Sequence, residues 1–335
     1  MPNLLEKLGA TGALQTDIYT AALSSSTTSR QLLLSKSCYT MLPTKSFGIF
    51  TPLLLLVTTA SGALVSVQNW GSNPTGLQMN IYVPSKLAAK PAVIFALHPC
   101  GGSGQQYYQT TKYPALADQS GFIVVYPSAP HDNNCWDVAS TRSLTHDGGG
   151  DSNGLANMIK YTISKYNADP TKIFVTGSSS GGMMTNVMAA VYPDLVAATS
   201  VYSGVPAGCL AGSPGSSPST ANPDCANGKI TKTSDAWGAQ VRAMYPGYSG
   251  TYPKVQIWHG TADSFVNYYY NFGEQIKEWS GLLGVNYVRN NTNVPQSGYT
   301  QETFGDGTKL VAYSAAGVGH TVPVHETVDL KWFGI

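Results

Sequence analysis

The stretch Lys172-Ile-Phe-Val-Thr-Gly177-Ser178-Ser179-Ser180-Gly181-Gly182-Met183-Met184 decides the fold. A β-branched and aromatic run stops at small residues, and apolar residues at helical spacing then continue to Tyr192. That order reads as a strand, a sharp turn and a helix with G-x-S-x-G at the turn, the pattern of a nucleophile elbow. Such a turn strains its central residue and leaves no room for side chains two positions before and after it. Gly177 and Gly181 therefore nominate Ser179, whereas Ser180, flanked by Ser178 and Gly182, fits less well.

Outward from the elbow the same rhythm repeats. Short β-branched and aromatic runs occur at 77–83, 92–98, 122–127, 172–177, 196–204, 254–260 and 309–316. Helical patterns lie between them at 105–119, 152–166, 181–192 and 266–284, so the fold class is α/β, a doubly wound, mostly parallel sheet of the α/β-hydrolase fold. Residues 131–150 and 205–253 break the rhythm and are read as irregular insertions that form a rim or lid. No internal repeat is present, and no apolar lid helix of the lipase kind can be read from either insertion.

In this fold the acid follows the nucleophile in the chain and the histidine comes last. Downstream of Ser179, Val255-Gln-Ile-Trp258-His259-Gly260-Thr-Ala-Asp263 is a strand that presents Asp263 on a loop. Asp263 is the predicted acid, with a share in capping the segment from Phe265. Asp235 lies in an irregular insertion and Asp306-Gly307 reads as a hairpin turn, so both compete poorly. His320, in Gly317-Val-Gly-His320-Thr-Val-Pro323 after the last strand, is the predicted base. His325 is expected on the surface of a final helix, while His98 and His259 end strands as buried structural histidines. Ser179 would attack an ester carbonyl, His320 would carry the proton, and Asp263 would hold the imidazole tautomer. The oxyanion would need the Ser180 amide and one from His98-Pro-Cys-Gly-Gly102, assigned to Cys100 with Gly101 as a fallback. Neither a metal nor a cofactor is implied.

The 335 residues carry nineteen Lys plus Arg against eighteen Asp plus Glu, a formal charge of +1, with only 11% charged residues. No footprint for nucleic acid or an anionic membrane appears. The apolar run Phe47 to Ala60, broken by Pro52, preceded by Lys45 and followed by Ser61-Gly62-Ala63, has a signal-peptide layout. Residues 41–63 are read as that signal and 1–40 as a gene-model extension or leader, with Met41 the start. A single secreted domain, 64–335, remains and is expected to work as a monomer. Four of the five cysteines fall in it, an even number in an exported chain. Three pairings are open. Cys100–Cys135 and Cys209–Cys225 are favoured because each ties loop to loop within one local excursion. Asn290-Asn291-Thr292 is the one glycosylation sequon, since Pro74 follows Asn73.

With these residues placed, the chain from Val65 onward resembles the fungal secreted esterases of carbohydrate esterase family 1. These are the acetylxylan and feruloyl esterases, related to polyhydroxybutyrate depolymerase-like enzymes. The carriers are Asn80-Ile-Tyr-Val-Pro84, Cys135-Trp-Asp-Val138, Thr145-His-Asp-Gly-Gly-Gly-Asp-Ser152, Val175-Thr-Gly-Ser-Ser-Ser-Gly181, Val201-Tyr-Ser-Gly-Val-Pro-Ala-Gly-Cys209, Met244-Tyr-Pro-Gly-Tyr248, Trp258-His-Gly-Thr-Ala-Asp263 and Gly317-Val-Gly-His-Thr-Val-Pro323. The resemblance implies that Ser179, Asp263 and His320 are the family's triad, which agrees with the chain-order reading. It implies a polysaccharide substrate, acetylated xylan first. Feruloylated arabinoxylan and then polyester are the alternatives, with a non-catalytic carbohydrate-binding protein outside the enzymes. Acetylxylan-type members carry a tryptophan shortly before the cysteine matching Cys225, where this chain has Ser219-Thr-Ala-Asn-Pro-Asp224. The aromatic residues Trp136, Trp258, Tyr107 and Tyr108 are candidates for a sugar-binding rim. Tyr268, Tyr269 and Tyr270 are assigned to helix packing.

Overall fold

A computed structural model describes residues 62–335. The expected leader and signal segments, 1–40 and 41–63, lie outside these residues except for Gly62 and Ala63. The strands, in chain order, are β1 Leu64–Val67, β2 Gln78–Tyr82, β3 Val93–Leu97, β4 Ile123–Ser128, β5 Ile173–Ser178, β6 Ala198–Tyr202, β7 Lys254–Gly260, β8 Tyr287–Thr292, β9 Tyr299–Phe304 and β10 Leu310–Ala315. The helices are α1 Gly104–Thr110, α2 Tyr113–Ser120, α3 Asp151–Tyr166, α4 Ser180–Val191, α5 Ser234–Met244, α6 Tyr268–Leu283 and α7 Glu326–Phe333.

All ten strands form one sheet in the order β1-β2-β4-β3-β5-β6-β7-β10-β9-β8. From β4 to β10 the neighbours run parallel, and the strands outside them at both edges pair antiparallel. The mostly parallel sheet of the α/β-hydrolase fold is therefore present. The central strands are apolar on both faces because helices cover both. Along β3, Val93, Phe95 and Leu97 face a core shared with α3, α4 and α5, while Ile94 and Ala96 face one shared with α1, α2 and α7.

Several elements differ from the sequence reading. The helix expected at 105–119 is two helices, α1 and α2, because Pro114 lacks an amide hydrogen and cannot extend α1. The insertion 205–253 is not irregular throughout: Thr233 caps α5 by accepting from the Ala236 amide at 3.2 Å. Asp235 thus sits in the first turn of a helix. Strands β1, β8 and β9 have no counterpart in the sequence pattern, and β8 (Tyr-Val-Arg-Asn-Asn-Thr) is an exposed edge with no buried face to impose alternation. Asp306 does lie in the turn between β9 and β10, where its carboxylate accepts from the Thr308 amide at 2.9 Å.

Candidate active site

Four loops at the carboxyl ends of parallel strands build the site: those after β3, β5, β7 and β10. Side chains from distant parts of the chain meet there because parallel strands end on the same edge of the sheet. Ser179 follows β5 directly, at φ 55° and ψ −119°, a conformation that costs a non-glycine residue roughly 1–3 kcal/mol. The flanking glycines make it possible. A Cβ on Gly177 would fall 2.5 Å from the Gly181 backbone, and one on Gly181 would fall 2.1 Å from the Leu97 carbonyl oxygen. Every residue of α4 behind the elbow is buried, so the turn is backed by packed core.

His320 Nε2 accepts from the Ser179 hydroxyl at 2.8 Å, and its Nδ1 donates to Asp263 Oδ2 at 2.7 Å. The three residues proposed from chain order are therefore joined in one relay. The loops after β7 and β10 are zipped together: the Thr261 amide donates to Ala315, the Ala262 amide to Val318, and the Gly317 amide to the Thr261 hydroxyl, at 2.8–2.9 Å. A side chain on Gly260 would strike the Val318 carbonyl, which explains a glycine at that crossing.

Asp263 is buried, and its two oxygens have separate work. Oδ2 faces His320, and Oδ1 accepts from the amides of Phe265 and Val266 at 3.0 and 2.9 Å, the capping share expected for it. His259 Nε2 lies 3.3 Å from Oδ2 while donating to the Val266 carbonyl at 2.9 Å. Burial alone would push the Asp263 carboxyl up, but contacts from His259, His320 and the Val266 amide outweigh it and hold the group well below the usual carboxylate range. An ionised, immobile acid beneath a base whose side chain is 18% exposed can orient the imidazole and stabilise its protonated form.

In the loop after β3, the Gly101 amide donates to Asn133 and the Gly102 amide to Pro99, at 2.9 and 3.1 Å. Neither the Cys100 amide nor that of Ser180, first in α4, has a hydrogen-bond acceptor among the described residues. The Cys100–Cys135 bond ties this loop to the next, and Cys209–Cys225 closes the second insertion.

A cavity of about 230 Å³ opens at Ser179, walled by Cys100, Met183, Leu210, Pro218, Ala221 and Phe265, among others. Its wall at 216–227 has no strand or helix. Asp132 holds it: its carboxylate accepts from the amides of Ser216 and Ser217 at 2.7 and 2.9 Å and from the Thr220 hydroxyl at 2.8 Å. Asp132, Asn133 and Asn134 all have positive φ, so this short turn presents a carboxylate to the cavity wall and the Asn133 carbonyl to the loop after β3. The residue types are common in left-handed turns, but nothing in their sequence points to the wall 84 positions away.

The expected aromatic rim is corrected. Trp258 is wholly buried, stacked between Tyr313 and His325, with its Nε1 donating to Ser200. Trp136 is equally buried: its Nε1 donates to the His98 carbonyl, and its backbone amide donates to Ser180 Oγ. Neither reaches a bound polysaccharide. Tyr107 is buried against Ser178 and Tyr108 packs on Tyr82 and Tyr126, so they do not form the rim either. His325 is half-buried before α7 rather than on its surface. Conversely, Tyr269 and Tyr270 are exposed. Phe265, which no reading of the sequence selected, stands 5.2 Å from the His320 ring. Its position two residues after the acid was the one available signal. The sequon residue Asn290 is exposed on β8.

The chain is 51% identical over 281 residues to a feruloyl esterase B of Talaromyces stipitatus, covering 84% of this chain and 78% of that one. It is 50% identical over 277 residues to a probable acetylxylan esterase A of Aspergillus fumigatus, covering 82% and 74%. The solved acetyl xylan esterase from Aspergillus awamori superimposes with a TM-score of 0.78 at 47% identity, over 82% of this chain and 99% of that one. Residues 77–303 match the model of the esterase PHB depolymerase family, a span containing Ser179 and Asp263. With that match over most of its length, the chain belongs to the esterase PHB depolymerase family and is a carboxylic ester hydrolase.

Proposed function

We propose that the protein is a secreted serine esterase that removes acetyl groups from acetylated xylan. The observation that carries the reading is the unbroken relay from Ser179 through His320 to Asp263, set at the mouth of a cavity. Ser179 Oγ attacks the ester carbonyl as its proton passes to His320 Nε2. The Cys100 and Ser180 amides receive the oxyanion, each supporting roughly 3–4 kcal/mol of transition-state stabilisation. His320 returns the proton to the leaving sugar hydroxyl, and water then hydrolyses the acyl-enzyme by the same route. The acetyl assignment is supported by the likeness to the acetylxylan esterases, and secretion by the signal layout of residues 41–63 and the two disulfides. A glycan on the exposed Asn290 fits the same compartment.

One observation favours a second reading, ferulate release. The cavity at Ser179 is mostly apolar and larger than an acetyl group requires, and similarity to a feruloyl esterase is equally high. Measuring kcat/KM on acetylated xylo-oligosaccharide and on methyl ferulate, with Ser179→Ala as blank, decides between them. An acetyl preference supports the first reading, a ferulate preference the second, and silence on both removes both.

A further inference from the structure

Three of the six large apolar side chains that stay exposed among the described residues lie within one six-residue stretch: Phe265 (54% exposed), Tyr269 (80%) and Tyr270 (41%). Contiguous exposed apolar surface of this kind marks a binding site more often than a packing accident. The stretch begins two residues after Asp263 and runs into the first turn of α6. Phe265 lies against the His320 ring and lines the cavity of Ser179. Tyr269 and Tyr270 meet edge to face with centroids 4.9 Å apart.

Tyr270 is supported from beneath. Tyr270 is laid onto Gly228, where a Cβ would fall 2.4 Å from its side chain and where φ is +75°. Ala226 and Asn227, just before that glycine, line the cavity. The Ala226 carbonyl accepts from the Asn267 amide and from Asn271 Nδ2, at 2.8 and 2.9 Å, locking the start of α6 to the cavity wall. Phe265 thus lines the active-site cleft directly, and Tyr270 is joined to its wall through the 226–228 segment.

Its chemistry selects an uncharged partner. Between Ala262 and Asn271 the only ionisable carboxylate or base is Asp263, which is buried and engaged. The remaining polar side chains are the Ser264 and tyrosine hydroxyls and the Asn267 and Asn271 amides. Aromatic faces with polar edges match a pyranose ring, whose faces are apolar C–H surface and whose rim is hydroxyl. We infer that Phe265, Tyr269 and Tyr270 form a stacking ledge that holds the polysaccharide backbone beside the Ser179 cleft. The inference rests on the proposed action on a polysaccharide ester.

The test measures kcat/KM of Tyr269→Ala and Tyr269→Trp on acetylated xylo-oligosaccharide and on 4-nitrophenyl acetate, with sedimentation of the wild type alongside. Tyr269→Ala is expected to lose about fivefold on the oligosaccharide through KM, with a change under twofold on the aryl ester. Tyr269→Trp is expected to keep the wild-type value, because it keeps a ring. An equal loss on both esters, or no loss on either, overturns the ledge. A wild-type dimer that Tyr269→Ala dissociates also overturns it, since the rings would then be covered by a second copy. If the wild type cleaves 4-nitrophenyl acetate but no acetylated sugar, the polysaccharide reading itself fails, and that is seen before any variant is made.

Discussion

Ser179 and the cavity wall at 216–227 face each other, yet they are held by different physics. The serine is fixed by backbone geometry: a strand on one side, a buried helix on the other, and two glycines that let the chain turn between them. The wall has no repeating backbone hydrogen bonds, so it depends on one disulfide, on the Asp132 carboxylate, which reaches it from a separate loop, and on the tie from its Ala226 carbonyl to Asn267 and Asn271 at the start of α6. A regular element positions an atom through its neighbours in sequence. An irregular one needs polar clamps from elsewhere in the chain.

If that contrast is right, damage on the two sides should differ in kind. Ser179→Ala should cut ester turnover by about 10⁴-fold or more while leaving circular dichroism and Tm almost unchanged, because the turn does not depend on the hydroxyl. Comparable turnover in that variant would remove Ser179 from the mechanism. Asp132→Ala should do the reverse, leaving turnover of a small aryl acetate within a few-fold. It should narrow the discrimination between acetyl and longer acyl esters by about five- to tenfold, and cost about 1–3 kcal/mol for the acceptor lost to three donors. An unchanged acyl-chain profile would show that the wall holds itself.

A smaller effect separates the site from the scaffold behind it. Asp329, on α7, is buried and accepts from the hydroxyls of Tyr113, Ser200 and Tyr202 and from Gln256. Burial pushes its carboxyl up to about 7 against those hydrogen bonds. In the unfolded chain an aspartate titrates near ~3.9. Between these values the folded state therefore binds the extra proton, so the stability this carboxyl contributes is present below about 4 and is lost as pH rises to about 7. Asp329→Asn should flatten part of that slope in Tm against pH. Glu278 and Glu302, also raised by burial, should keep the remainder. Identical slopes in both proteins would contradict the assignment.

The elbow, the strand rhythm and the order of acid and base were legible because each is a local pattern with one satisfactory backbone. The cysteine pairs were legible because each closes within a single excursion. The aromatic residues were not. Trp258 and Tyr269 have similar chemistry and both sit among apolar neighbours, yet one is core and the other open surface. That outcome depends on which strand lies alongside and which loop covers it.

Sequence by itself determined the fold class and nominated Ser179, Asp263 and His320, which the structure joins by hydrogen bonds, since glycine spacing and strand endings act over a few residues. Only the tertiary structure decided that Cys100 rather than Gly101 has the open amide, that Asp132 holds the cavity wall, and that Tyr269 and Tyr270 meet solvent. Each of these depends on hydrogen bonds or burial between segments far apart in the chain, and no local pattern encodes which segments will meet.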